Sequence, residues 1–584
     1  MQNIWEVRPK TIDMQKAAQA PGLTFADIIL IKRGYLAPEE RAAFLQVDAK
    51  GLHDPFLFPD MHKACEAIVR HHQAGNLILI HGDYDADGIT ASALLIRQFR
   101  RLGINCDCVI PDRLKDGYGL SENSMARIME KKPSLVITVD CGITSVKEIA
   151  RLNESGIEVI VTDHHECKAE LPSALALIEA KIPGCPYPFR SLAGVGIAFK
   201  LLQALNKYMP NKAYLYDIAL VALGTVADSV PLVNENRILV TLGLQLLNKT
   251  LPHLAPGIQA LVKTIGKDGT VSTDSLGFAM APRINAAGRL GEAEKALELL
   301  LEDDLLQAQT AAIHLNELNT KRQAVEEIIF SAAVTQLENR KGFENQPVTI
   351  VAQSGWHVGV VGIVCSKLVE LYGKPAIVLT EENGIMHGSC RSIEKFDILD
   401  ALSAASDHLL GFGGHAMAAG LTLEAGQFKN FAAAVFAHAK KVIPPEGLSF
   451  ALTADLTIRE SLITIENAMS ISSLEPFGEE NSKPLFITPS MTIATWKVVG
   501  NTGKHVKLGL IGPDGGSFDA IAFNMGSLAE LYPVGSRIDV LYSLDINVWN
   551  NKETVQMLVK DIRAEETSSK KKEKQQAQKT SVNK

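Results

Sequence analysis

Between residues 76 and 161, short apolar runs alternate with longer stretches of helical pattern. Asn76–Ile80 (NLILI) leads into a helical stretch over Ile89–Leu102. Ile104–Ile110 follows, then a turn-rich loop and a helix near Ser121–Lys131. Leu135–Val139 (LVITV), a helix near Ser145–Glu154 and Ile157–Val161 (IEVIV) continue the series. Runs this short and this apolar, separated by helices, predict βαβ units on a buried parallel sheet. Two more helical stretches come at Leu192–Tyr208 and Tyr214–Val226, and residues 295–340 read as one long helix rich in Leu, Ala, Glu, Gln and Arg. A second α/β pattern opens at Val348 (VTIVA), continues through a helix near Gly359–Leu371 and the run PAIVLT, and closes in the Gly-rich stretch Gly411–Gly420. From about 446 to 563 the apolar period becomes two, in LSFALTADLTI, MTIATWKVV, HVKLGLI, FDAIAFN, RIDVLYSLDI and TVQMLVKDI. Short strands with Gly-rich turns predict a small OB-like β-barrel.

The predicted fold class is therefore α/β: a parallel-sheet domain and a second α/β domain joined by a long helix, with a C-terminal barrel. The expected limits are a mainly helical lead-in at 1–70, the first α/β domain at 71–294, the connector at 295–344, the second α/β domain at 345–445 and the barrel at 446–565. Residues 567–584 hold six Lys, one Glu, no aromatic residue and one Val, a composition expected to stay disordered as a solvated tail.

Composition narrows the classes further. The chain has 584 residues, enough for three or four domains, and is 46% hydrophobic and 21% charged. Its net charge of −8 argues against a generally basic nucleic-acid binder, although a basic groove can sit on an acidic body. The eight cysteines are scattered and no zinc ligand set emerges, so reduced, structural thiols are expected. Met1–Lys10 has no apolar signal core, and no apolar run reaches the ~18 residues of a spanning helix. The expectation is a soluble, cytoplasmic protein away from the membrane.

Chemistry gathers at the predicted strand ends. His81-Gly-Asp-Tyr-Asp-Ala-Asp-Gly follows the first run, Asp140 follows LVITV, and Asp163-His164-His165 follows IEVIV. In an open α/β sheet ligands bind at the carboxyl ends of the strands. So many carboxylates on one rim repel one another unless cations neutralise them. Two divalent ions could be held there, and such pairs clamp the attacking and leaving oxygens of phosphoryl displacement. Mixed oxygen and imidazole donors favour Mn²⁺, with Mg²⁺ also suitable. A lone Asp after a strand is usually a cap or a turn residue. HGDYDADG and DHH at successive strand ends outweigh that reading, whereas Asp140 alone does not.

HGDYDADG, VDCG and TDHH closely resemble the signature motifs of the DHH phosphoesterases. GTVADSVPL (Gly224–Leu232) resembles that family's next motif, and GGHAMAAG resembles that of the associated DHHA1 domain. Their order and spacing from about residue 50 to 565 are similar to RecJ-type exonucleases. The resemblance implies one ion on His81, Asp85 and Asp140, and another on Asp87, Asp140, His164 and Asp228, with Asp140 bridging. It implies that His165 faces the scissile phosphate and that Asp83 and Asp163 orient ligands. One departure stands out: Glu179-Ala180 occupies the place of a frequent Asn-Pro, which leaves the local loop conformation open.

The substrate side is read in the same way. Arg113 lies in the loop Pro111–Gly119 and could fork onto a phosphate, while Tyr118 in the same loop could stack a base. The resemblance implies that Arg113, Ser389 and Arg391 bind a 5′-terminal phosphate. It also implies that Pro282–Arg289, with Arg283 and Arg289, contacts DNA. Taken singly, each arginine reads as a surface ion pair. Gly414 and His415 lie in a Gly-rich loop whose backbone N–H groups could cradle phosphate. On the barrel, Trp496, Lys497, Lys504, His505, Lys507 and Phe523 could bind a strand or simply pack, and the two readings remain open.

The expected function is a 5′→3′ exonuclease on single-stranded DNA, acting in recombination and repair as a monomer. Family resemblance adds a single-strand binding protein and a RecQ-like helicase as partners. The rivals are a small-substrate DHH phosphodiesterase, disfavoured by the added barrel, and a non-catalytic DNA-binding scaffold, disfavoured by the complete ligand set.

Overall fold

The structure, a computed structural model, describes residues 4–9, 22–265, 270–444, 451–500, 503–526, 528–549 and 552–565. The expected tail lies outside them. The chain divides into two compact units, Asp48–Leu448 and the pairing of Met1–Val47 with Ser449–Lys584.

In the first unit, β1 (Ile78–His81), β2 (Cys106–Val109), β3 (Leu135–Val139), β4 (Glu158–Thr162) and β5 (Ala176–Ile178) form a parallel sheet in the order β2-β1-β3-β4-β5. After β1 the chain steps to one side for β2, then to the other for β3. This places a topological switch point between β1 and β3, where a crevice opens at the strand ends. Helix α1 (Ala86–Arg101) is buried from Ala86 to Phe99, and packs against α2 (Gly194–Leu205) and α3 (Ile218–Ala227). Being covered all round, α1 is largely apolar, and its two ends carry the charges.

Helix α4 (Ala281–Arg289) follows, and then α5 (Leu305–Glu338). The single helix expected over 295–340 is in fact two, because Ala293–Leu301 stops before Glu302-Asp-Asp304. Asp304 accepts the N–H groups of Leu306 and Gln307, both at 2.9 Å, and so starts α5 as its N-cap. The second sheet contains β6 (Thr349–Ala352), β7 (Ala376–Glu382), β8 (Ile385–Arg391), β9 (Gly411–His415) and β10 (Ala418–Glu424), in the order β9-β10-β8-β7-β6. Only β6 and β7 pair in parallel. Helix α6 (Val358–Tyr372) lies between β6 and β7 and packs on β7 and β8.

The other unit is a closed five-stranded barrel of β11 (Phe486–Val499), β12 (His505–Ile511), β13 (Ser517–Ala522), β14 (Arg537–Trp549) and β15 (Lys552–Ala564). Pairing runs β11-β12-β13-β15-β14, and β14 returns to β11. The segment read as one lead-in, residues 1–70, is divided. Phe25, Ile29 and Leu30 are buried in the barrel's core, and strand Ile4–Val7 pairs with Ala451–Ala454. Helix Met61–Gln73 instead packs in the first unit. The apolar face of Phe25–Lys32 has no cover within its own segment, and the barrel supplies it. All eight cysteines are free.

Candidate metal centre

The motif after β1 folds directly into the start of α1. Asp85 is the N-cap, its Oδ1 accepting the N–H groups of Asp87 at 3.0 Å and Gly88 at 3.1 Å. Asn285 on α4 holds the same loop by accepting the Ala86 N–H at 2.9 Å. Asp87 turns toward the first residues of α2 and accepts from Gly194 N at 2.6 Å and Val195 N at 2.8 Å. The positive end of α2 therefore meets a carboxylate.

Asp140, directly after β3, has φ +61°, a conformation that a non-glycine residue adopts only when its surroundings enforce it. Its N–H donates to Thr162 O at 3.0 Å, which ties the turn to the end of β4. Gly194 lies so close that a Cβ there would stand 2.7 Å from the Asp140 Cβ. His164 Nε2 sits 3.0 Å from Asp140 Oδ1, 3.6 Å from Asp228 Oδ2 and 3.8 Å from Asp87 Oδ2. Asp228 reaches the site as the residue that ends α3, and Ser229 turns the chain away at φ +59°.

Three sets of possible ligand atoms lie within 4.8 Å of one another: Asp87 with His164 and Asp228, Asp83 with Asp85 and Asp140, and Asp140 with His164 and His165. Asp140 joins two of the sets. Asp83, expected only to orient ligands, stands in one of them. His81, expected as a ligand, stands in none; it is fully buried, with Nδ1 3.6 Å from Cys141 Sγ. Asp163, also expected to orient ligands, bonds to its neighbours. It accepts the N–H groups of Ile143, His164 and His165, and lies 2.8 Å from His165 Nδ1. Tyr118, expected to stack a base, donates its hydroxyl to Asp140 O at 3.0 Å and stands 3.0 Å from His165 Nδ1.

Electrostatics explain why this crowd needs cations. Burial, then neighbouring carboxylates, pushes Asp87 up to about 7 and Asp228 up to about 9, and raises Asp83 and Asp140 as well. Burial, then the adjacent His165, drives His164 down to about 3. Burial opposes charge on His165 too, but the Asp163 carboxylate outweighs it and holds the imidazole above its ordinary value. Asp140 Oδ1, His164 Nε2, Asp83 Oδ1 and His81 Nε2 are all buried without a hydrogen-bond partner. Buried polar atoms are almost always paired. Unpaired acceptors in an oxygen and imidazole set fit divalent ions of the Mn²⁺ or Mg²⁺ kind.

In the same unit a cavity of about 330 Å³ is lined by Arg113, Gly359, Gly362, Ser389, Arg391 and Gly414, among others. Arg391 donates to Ser389 Oγ at 3.1 Å, and Arg113 stacks over Tyr84 at 5.0 Å. Arg289 donates to Gly359 O at 3.1 Å; burial, and then Arg113, Arg322 and Arg391, lower it to about 10. Guanidiniums gathered this closely are complementary to an anion. His415 lies on exposed β9, outside that lining.

Arg283, expected to contact DNA, gives its donors to the protein: Nε to Asn316 Oδ1 at 3.1 Å, Nη1 to Ala279 O at 2.6 Å and Nη2 to Thr264 O at 3.2 Å. Sequence reasoning missed the holding roles of Gly194 and Asn285. The only signal for them was their small or amide side chains near the motifs. On the barrel, Lys497 faces Lys507 across β11 and β12, Trp496 and Phe523 are exposed, and the His505 ring lies 5.3 Å from Phe523.

Three family models match the chain: the DHH family N-terminal domain over residues 77–225, the DHHA1 domain over 345–441 and the RecJ OB domain over 454–561. The single-stranded-DNA-specific exonuclease RecJ of Bacillus subtilis is 38% identical over 95% of this chain and 70% of its own length. The RecJ of Escherichia coli is 34% identical over 91% of this chain and 95% of its own. The crystal structure of Thermus thermophilus RecJ with Mn²⁺ is 31% identical and matches with a TM-score of 0.80, over 97% of this chain and 80% of that one. Its Mg²⁺ complex matches at 0.74 with 29% identity, over 97% of this chain and 78% of that one. With DHH, DHHA1 and RecJ OB domains in order and relatives matched nearly end to end, this chain belongs to the RecJ family of DHH phosphoesterases.

Proposed function

We propose that this chain is a metal-dependent exonuclease that digests single-stranded DNA from the 5′ end, with two Mn²⁺ or Mg²⁺ ions, in recombination and repair. The observation that carries the reading is the facing pair of partnerless atoms, Asp140 Oδ1 and His164 Nε2, 3.0 Å apart among repelling carboxylates. Relatives named as single-stranded-DNA-specific exonucleases, and a related enzyme crystallised with either metal, support it.

In this reading Asp83, Asp85, Asp87, Asp140, His164 and Asp228 hold the ions, and the free Nε2 of His81 is a further donor. The bound ions supply an activated water and neutralise charge on the phosphate under attack. His165, whose Nδ1 lies 2.8 Å from the Asp163 carboxylate, which shifts the imidazole toward its charged form, faces the scissile phosphate as a donor to its oxygens. Tyr118 restrains both that imidazole and the Asp140 backbone. Arg113, Ser389, Arg391 and the backbone at Gly414 grip a terminal phosphate, which sets the polarity. Arg289 adds positive charge there. Arg283 supports the protein beneath, and His415 stands beside the strand's path on exposed β9.

The domain limits 71–294 and 345–445 then assign catalysis, and 446–565 assigns strand binding through Trp496, Lys497, Lys507 and Phe523. A single-strand binding protein and a RecQ-like helicase are the partners that would present such a strand.

The test is digestion of 5′-phosphorylated, 3′-labelled single-stranded DNA with Mn²⁺ or Mg²⁺, against duplex and RNA controls. Stepwise shortening from the 5′ end, lost in Asp140→Ala, is expected. An intact long strand alongside cleaved dinucleotides would assign a small-substrate phosphodiesterase instead.

A further inference from the structure

Phe278 is 83% exposed, more than any other large apolar side chain among the described residues. It sits on a π-helical turn, Ser275–Met280, that runs directly into α4. Such turns insert one extra residue into a helix and are frequent at functional sites. Leu276 and Met280 are buried beneath it. Arg283 clamps it from α4 by donating to Ala279 O at 2.6 Å, and also anchors to Asn316 and Thr264. The ring contributes little to the core, yet the backbone presenting it is tightly held.

Its location connects it to the metal centre. Gly277 lies against α3, where an added Cβ would stand 3.4 Å from Val226 Cγ1, two residues before Asp228. Asn285, seven positions further on, holds the Ala86 N–H inside the ligand loop. At a helical rise of 1.5 Å per residue that separation is about 10 Å. Along the chain Phe278 stands between Gly277 and Ala279, so its immediate neighbours add no bulk beside the ring. A single bare aromatic face suits one flat ligand, and in nucleases of single strands that ligand is an unpaired base.

We infer that Phe278 stacks on one nucleobase of the substrate strand, a few nucleotides from the bond being cut. The inference rests on the proposed function for its substrate class. It assigns Phe278 the base stacking expected of Tyr118, whose hydroxyl is held by the Asp140 backbone.

The test uses the full-length protein and 5′-phosphorylated oligonucleotides, each carrying one abasic residue at a successive position. Anisotropy without divalent metal reads binding, and digestion with Mn²⁺ reads KM and kcat. Phe278→Ala is expected to raise Kd and KM about tenfold while kcat and the melting curve stay unchanged. One abasic position should weaken the wild type but not Phe278→Ala, and Phe278→Trp should restore both affinity and that sensitivity. An unchanged Kd in Phe278→Ala, or an abasic profile identical in the two proteins, would overturn the assignment. Because binding is read without turnover, a wild type that binds DNA but never cuts it would count against the proposed function and not against Phe278.

Discussion

Glu179 ends β5 with its carboxylate almost wholly buried, Oε1 accepting the Lys181 N–H at 2.7 Å and Oε2 without a partner. Here Glu179-Ala180 left the loop conformation open in the sequence. The short bond to Lys181 answers the conformational question, because a side-chain oxygen on the N–H two residues ahead closes the turn as an asparagine would. Burial raises the Glu179 carboxyl from its ordinary 4.5 to about 9. The folded state then binds a proton that the unfolded state releases above about pH 4.5, so this residue's contribution falls as pH rises toward 9. Urea unfolding at pH 5.5 and 8.5 should show the wild type losing stability relative to Glu179→Gln at the higher pH. Parallel losses in the two proteins would mean that the carboxylate finds water or a cation when ionised. Comparing the proteins cancels the titration of Asp87 and Asp228, which both share.

At the scale of elements, the metal centre depends on helix starts meeting strand ends. The start of α1 carries Asp85 and Asp87, the start of α2 receives Asp87, and the end of α3 delivers Asp228. Gly194 permits this convergence, since any side chain there meets the Asp140 side chain at 2.7–2.9 Å. Gly194→Ala is expected to displace Asp140 and weaken Mn²⁺ binding by about 10–100-fold, the range found for residues that orient ligands. The fold should lose about 1–3 kcal/mol from overpacking. Titration calorimetry with Mn²⁺ and a thermal melt separate the two effects. Wild-type affinity in the variant would show that the Asp140 turn can retreat despite its positive φ.

At the scale of the molecule, each compact unit has its own core, and one of them is assembled from both ends of the chain. Phe25 stacks on Phe486 at 5.6 Å, and Arg33 grips buried Asp455 through Nε at 2.9 Å and Nη2 at 3.1 Å. A fragment of residues 451–565 alone would leave Asp455 without that partner and uncover the apolar wall that receives Phe25, Ile29 and Leu30. Losing one partner of a buried ion pair costs about 3–5 kcal/mol. Circular dichroism and gel filtration should find that fragment aggregated or partly unfolded. The same fragment joined to residues 22–47 by a flexible linker should be folded and monomeric. A well-folded 451–565 would show that the barrel closes without its N-terminal helix.

Local pattern was enough for the βαβ series, the second α/β segment and the barrel strands, because burial on one or two faces writes a period directly into the chain. It was also enough to put His81, Asp85, Asp87, Asp140, His164 and His165 on one rim, since parallel strands share one carboxyl edge. Asp228 came from family resemblance, because a residue just beyond a helix carries no period of its own. Tertiary structure decided the rest. It brought Asp83 into one of the sets of possible ligand atoms and set His81 outside those sets with a free Nε2, tied Tyr118 and Arg283 to the protein, exposed Phe278, and joined residues 22–47 to a barrel more than four hundred positions away. The physical reason is the same in each case: a side chain's role depends on which donors, acceptors and apolar surfaces surround it, and those neighbours come from segments distant in sequence.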